Sequence, residues 1–243
     1  LSKEKDLVYK AFKNEGVVTI KNANIASKLF GALRGTPVLA TKTLESEREF
    51  VFAVAKVPLD HTNVEHERIM FSIYRKLTGD AVNCPSLGSH WEIIGFQGAN
   101  PATDLRGLGM FGPLQLLYFI GKYPSVAADI FKLSQIPEQI FPMAVVSLNM
   151  SAMALELLRE GKLSAHANKI GTAVHAVHDM YSALFLKFYQ LWKREKRTIV
   201  DYDSTKKWLR EYCKKNAAVL IKNLHDETSS EKKSSEKHEY IDL

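Results

Sequence analysis

Between Trp91 and Gly112 the chain changes character. Five of its 13 glycines fall between Gly95 and Gly112, and one arginine, Arg106, stands among them with Asp104 before it and Gly107 after it. A guanidinium is planar and permanently charged, and its fork matches the oxygens of a phosphate or a carboxylate. On a stiff loop it can be offered to an external anion. It can equally close an internal bridge to Asp104 or another carboxylate and pin the loop. The residues alone leave both readings open. Pro101 fixes φ and biases Asn100 toward extended backbone. Asn100 and Asp104 can form side-chain turns with backbone amides, and Gly98 and Gly107 allow another backbone to approach. Trp91, Ile94, Phe96 and Leu105 are core-type residues, so the loop is expected to be ordered.

The glycines do not make a nucleotide site. No Gly-Lys-Ser/Thr follows them, and Gly107-x-Gly109 lacks both a preceding strand and a third glycine at the dinucleotide spacing. Elsewhere, His175, His178 and Asp179 put two imidazoles and a carboxylate together, but no third ligand stands at zinc spacing. Neither Ser164 with His166 nor Cys84 with His90 forms a nucleophile pattern. Glu45, Glu47 and Glu49 read as a solvated helix face. The run from Trp192 to Arg197 reads as a charged helix end, since stable attachment to anionic lipid wants a second anchor. No metal or cofactor is expected.

The elements that must position the loop are helices, because apolar residues recur at helical spacing almost everywhere else. The first runs from Leu44 to Val57, with Phe50, Val51, Val54 and Val57 on one side. Pro58 and Asp60 end it. Asn63 is the expected N-cap of the next, which carries Ile69, Ile73, Tyr74 and Leu77 and stops at Gly79. Past the loop, Pro113 sits in the first turn of a helix reaching Gly121, and Pro124 starts another. Ile140 to Leu158 is a third, ended by Gly161. Ser164 to Trp192 is one helix, or two if Gly171 breaks it. The last runs from about Ser204 to Leu224, with Trp208, Leu209, Tyr212, Leu220 and Leu224 as its buried stripe. Val17-Val18-Thr19-Ile20 is an isolated β-like run. Asp226 to Glu239 is serine, lysine and glutamate without an apolar anchor.

The expected fold is therefore all-α: one compact multi-helix domain with an ordered glycine-rich loop and a disordered C-terminal tail. Residues 44–224 would form the domain, 1–43 a helical or irregular extension and 225–243 the tail. With 243 residues, 46% of them hydrophobic, the chain can bury a large core. Its net charge of +6 is mild and not gathered into a stripe, which argues against nucleic acid as a partner. Two distant cysteines, Cys84 and Cys213, suit free thiols in a reducing compartment. The uncharged run between Glu138 and Glu156 is about as long as the shortest membrane span, but its polar residues favour a buried core helix. The chain opens on Leu1-Ser2-Lys3 rather than methionine, so a piece of a longer protein is one expectation. The start as given carries no secretory signal pattern.

The stretch from His90 to Gly109 reads His-Trp-Glu-x-x-Gly-Phe-Gln-Gly-x-x-Pro-x-Thr-Asp-Leu-Arg-Gly-x-Gly. It resembles the signature of the ELMO domain family, above all of the ELMOD-type branch in its third paralogue type. Arg68 to Gly79, Leu114 to Phe119, Phe131 to Ser134, Phe141-Pro142, Ser147 to Asn149 and Trp192-Lys193 agree as well, so the likeness spans roughly 44–224. It implies an α-helical domain acting on small GTPases of the Arf and Arl group in their GTP-bound form. ELMOD-type members act as GTPase-activating proteins, and their signature arginine is matched here by Arg106. The larger engulfment-and-motility relatives lack that arginine and work as scaffolds with Dock-type exchange factors. Asn100 stands where many relatives carry aspartate, a feature shared by the third paralogue type. The resemblance thus implies an arginine supplied in trans by Arg106, on a loop supported by Gln97, Gly98, Thr103, Asp104 and Gly107. The chain would not be an enzyme with its own nucleotide site but an aid to its partner's hydrolysis. The alternative is a non-catalytic binding or scaffold module for a small GTPase or its regulators. Either role implies a cytoplasmic protein with at most peripheral membrane contact.

Overall fold

The computed structural model describes residues 37–80 and 84–239, with side chains as far as Glu227. Val17-Val18-Thr19-Ile20 and most of the N-terminal extension lie outside the described residues. Among those described, every regular element is an α or 3-10 helix. In chain order the α-helices are α1 (Lys42–Val54), α2 (Val64–Thr78), the short α3 (His90–Ile93), α4 (Phe111–Lys122), α5 (Pro124–Ser134), α6 (Met143–Arg159), α7 (Ser164–Ile170), α8 (Ala173–Arg194) and α9 (Tyr202–Glu239).

The caps explain most of the boundaries. Asn63 accepts the backbone N–H groups of Glu65 and His66 at the start of α2. Gly79 ends that helix at φ 76°, a left-handed conformation that costs glycine little. Gly171 does the same at φ 76° and splits the long periodic segment into α7 and α8. Thr172 then caps α8. Glu47 is not the solvated residue expected of it. Its Oε2 accepts the N–H of Ala173 at 2.6 Å and of Val174 at 3.3 Å, and the hydroxyl of Thr172 at 2.8 Å. A carboxylate at a helix N-terminus satisfies orphan donors and the positive end of the dipole. Here it also locks α1 to α8.

α8 lies at the centre, packed against α9, α6, α7, α1 and α4. Phe119, Phe185, Phe188 and Trp192 are fully buried along this seam. Each such side chain contributes roughly 1.5–3 kcal/mol by leaving water. The stretch Pro137–Arg159, which contains α6, is long and apolar enough to cross a membrane, but most of it is buried inside the domain. Its polar residues serve the core: Ser147 Oγ and Tyr181 Oη share a hydrogen bond of 2.7 Å, and Ser151 donates to the Ser147 carbonyl.

α9 runs past the Leu224 end expected from its apolar stripe, as far as Glu239. Among the residues whose side chains are described, Leu224 is the last buried one in this helix. The stripe itself is Thr205, Leu209, Cys213, Leu220, Ile221 and Leu224. Trp208, expected within it, is 42% exposed and stacks on Tyr212 at 4.6 Å instead.

Candidate functional site

The segment joining α2 to α4 carries Arg106, and the core holds it from beneath. Trp91 is 1% exposed, meets Tyr74 and Phe96 edge-on and donates Nε1–H to the Ser86 carbonyl at 3.0 Å. Two residues beyond α3 the chain turns at Gly95, φ 92°. A Cβ there would lie 2.3 Å from the backbone N of Met143. That contact exists because the loop caps α6. Pro142 has no hydrogen-bonding side chain to cap the helix, and the N–H groups of Ala144 and Val145 donate to the carbonyls of Ile94 and Gly95. A buried helix end must find such partners.

Asn100 then opens a 3-10 helix, Pro101–Gly107, with extended backbone at φ −124°, ψ 102°. Its Oδ1 accepts the N–H of Ala102 at 3.0 Å, and its carbonyl accepts the hydroxyl of Thr103 at 2.9 Å. Leu105 plugs the turn into the core at 1% exposure. After Arg106 and Gly107, Gly109 turns at φ 47°, and a Cβ there would lie 2.3 Å from the Val57 carbonyl oxygen. The next residue, Met110, donates its N–H to that same oxygen at 2.8 Å. The arginine turn is thus fastened at one end to α6, at the other to the turn after α1, and in the middle by Leu105.

Arg106 is exposed. Among the described residues it forms no hydrogen bond or ion pair. The internal bridge to Asp104 does not form: Asp104 Oδ2 accepts the backbone N–H of Gln97 at 2.8 Å and draws the two arms of the loop together. Gln97, Thr103 and Gly107 are exposed, and Gly98 and Asp104 are half-buried. Among the described residues, chain neighbours aside, no atom stands within 4 Å of where a Cβ would sit on Gly98 or Gly107. Close approach within the molecule falls to Gly95 and Gly109 instead.

Sequence reasoning missed two residues that hold this turn. His61, after α1, places Nε2 3.1 Å from Asn100 Oδ1 and Nδ1 2.8 Å from Glu67 Oε1 on α2. The Ser86 hydroxyl donates to the other Glu67 oxygen. A histidine in a turn and a glutamate in a first helical turn carry no signal of this in the chain itself.

The other constellations resolve into structure. Asp179 is 5% exposed and pairs with Lys122 Nζ at 3.2 Å, His166 Nε2 at 3.0 Å and His225 Nε2 at 3.5 Å. Burial pushes its pKa up, but the bonds from His166 and Lys122 outweigh that and hold it below the usual carboxylate value. His178 Nδ1 lies 2.6 Å from Gln115 Oε1, and its ring stacks on Tyr118. No metal-holding cluster occurs among the described residues. In the basic run, Glu195 pairs with both Arg194 and Arg197. Both cysteines are free, and burial pushes the Cys213 thiol up to about 11.

The described residues form an all-α domain that presents Arg106 on a glycine-rich turn braced by helices on both sides. The sequence model of the ELMO/CED-12 family matches residues 49–206, and the chain belongs to that family. It is similar to ELMO domain-containing protein 3 of Mus musculus, 38% identical over 218 residues, covering 89% of this chain and 57% of the relative. It is likewise 38% identical over 215 residues to ELMO domain-containing protein 3 of Homo sapiens, covering 88% and 56%. ELMO domain-containing protein B of Dictyostelium discoideum is 30% identical over 153 residues, covering 63% and 54%. The chain thus spans about half the length of the curated relatives it matches.

Proposed function

We propose that this domain is a GTPase-activating module for GTP-bound small GTPases of the Arf and Arl group, with Arg106 supplied in trans. The observation that carries the reading is the guanidinium itself: exposed, with no carboxylate partner among the described residues, on a turn fixed at both ends. Negative charge develops on the phosphoryl oxygens as GTP is hydrolysed, and a GTPase alone leaves it partly unneutralised. A positioned guanidinium offsets it without reorganising at the moment of reaction. Such arginines accelerate hydrolysis roughly 10³–10⁵-fold, which corresponds to about 4–7 kcal/mol of barrier.

The neighbours fit that role. The Asp104 carboxylate is occupied by the Gln97 amide, so it shapes the loop without neutralising the arginine. Gly98 and Gly107 leave room for a partner's backbone, and Gln97 and Thr103 offer polar groups beside it. The reading asks for no nucleotide pocket in this chain, and for a cytoplasmic setting with at most peripheral membrane contact.

The test is a panel of GTP-loaded Arf and Arl proteins, each mixed with the domain and followed by phosphate release. Acceleration of at least one member is the expected result. Binding without acceleration would make the domain a non-catalytic module, with Arg106 an interface anchor.

A further inference from the structure

The hydrogen bonds around His61 fix its protons. The Asn100 atom that meets the Ala102 N–H must be the oxygen, because a backbone amide needs an acceptor. The same oxygen faces His61 Nε2, so Nε2 donates. The Glu67 carboxylate accepts only, so Nδ1 donates as well. A ring that donates from both nitrogens is the imidazolium.

We propose that His61 is a positioning residue for Arg106: its imidazolium clamps Asn100, which opens the arginine-bearing turn, to Glu67 on α2, and so holds the guanidinium where a docked partner's phosphates would meet it. This rests on the reading of Arg106 given above. His61 acts through Asn100, whose side chain caps the turn and whose carbonyl takes the Thr103 hydroxyl.

Loss of the ring proton opens the clamp. Ionised Glu67 keeps the proton on Nδ1, and Nε2 then turns a lone pair toward Asn100 Oδ1. The amide cannot invert to meet it without setting its NH₂ group against the Ala102 N–H. The groups facing the ring are Glu67 from α2 and Asp60 from the same turn, with Asn100 and Ser86 neutral. His66 on α2 accepts the Asp60 N–H. Burial works against the imidazolium, but the bonds to Glu67 and Asn100 and the charges of Glu67 and Asp60 outweigh it, raising the ring above its usual 6.5. A raised pKa means the clamp is complete below about 6.5 and is lost as pH rises through the folded-state value.

The full chain is compared with His61→Phe, His61→Gln and Glu67→Gln. NMR follows the His61 ring and the protection factor of the Ala102 amide against pH. Wild-type protection should fall with the ring's titration. It should be low and pH-independent in His61→Phe, and partly restored in His61→Gln, whose amide can donate to Asn100 at any pH. Glu67→Gln should move the midpoints of the ring, of Ala102 protection and of stimulated turnover to lower pH together, whereas a merely structural histidine would shift only its own titration. Stimulated GTP hydrolysis should track the same proton, with kcat falling about ten- to a hundredfold and KM changing less, since a misplacement of about 1 Å costs on the order of 10²-fold. Ala102 protection that ignores the ring's proton, or a wild-type pH profile retained in His61→Phe, overturns the clamp. If the wild-type chain accelerates no GTPase, the activator reading falls, and the Ala102 measurement still decides the clamp.

Discussion

Oδ2 of Asp104 accepts the backbone N–H of Gln97 at 2.8 Å, so the acid two residues before Arg106 closes the loop rather than neutralising the arginine. Arginine and aspartate this close in sequence invite an ion pair. The turn instead gives the carboxylate to the opposite arm and leaves the guanidinium to solvent.

Arg106→Ala should therefore leave the fold intact. An exposed side chain without partners changes stability by about 0.5 kcal/mol or less, which is roughly 1–2 °C in Tm for a chain of this size. Thermal denaturation of the variant checks it. A fall of several degrees would give the arginine a structural role.

Asp104→Ala removes the acceptor of the Gln97 amide. Water can reach this half-buried site, so the expected loss is about 1 kcal/mol. Stimulated turnover should fall further than stability does, because the loop is freed while the core is untouched. Asp104→Asn keeps an acceptor oxygen and should recover most of the activity. A stimulated rate unchanged in Asp104→Ala would show that this bond does not position the arginine.

Gly95→Ala and Gly109→Ala should be far more damaging to the fold. Each added Cβ would lie 2.3 Å from a backbone atom, Met143 N or the Val57 oxygen, and each glycine has positive φ. Overpacking against backbone costs about 1–3 kcal/mol or more, and the left-handed conformation adds about 1 kcal/mol. Urea denaturation should show the loss in both. Gly107→Ala, with open space around it, should be close to neutral in the same experiment.

Local chemistry announces some of these features. Asn63 as N-cap, the stop at Gly79 and the core residues Trp91, Phe96 and Leu105 all follow from residue type and spacing, as does an ordered loop around Arg106; the break at Gly171 is one of two readings that the spacing leaves open. The features that hold the loop in place are tertiary. Nothing near Gly95 tells of Met143, and nothing near Gly109 tells of Val57. Glu47 looked like a solvated residue because its partner, the first turn of α8, is distant in sequence. Trp208 fell on the helical stripe by spacing, but Thr205, Leu209 and Cys213 fill that face and leave the indole half in water.

The Asp179 cluster gives the domain an acid limb. Its carboxyl lies below its usual 3.8, so its contribution is present above that value and lost as pH falls through the folded-state pKa. Asp179→Asn should weaken that acid limb. At neutral pH it should cost about 1–3 kcal/mol by leaving Lys122 without its anion, and less than a sealed pair would because the Lys122 side chain is 35% exposed. Denaturation midpoints of both proteins between pH 3 and 7 test this. Parallel curves would remove Asp179 from the acid response.

The central claim is that one guanidinium, delivered from this turn, completes another protein's hydrolytic site. The most direct measurement is single-turnover GTP hydrolysis by a responsive Arf or Arl protein, with the wild-type domain and with Arg106→Lys in excess. Lysine keeps the charge but cannot form the planar fork. The account predicts that Arg106→Lys binds the GTPase and loses most of the stimulated rate, a deficit of about 10³-fold or more. Stimulation by Arg106→Lys equal to that of the wild-type domain would contradict it.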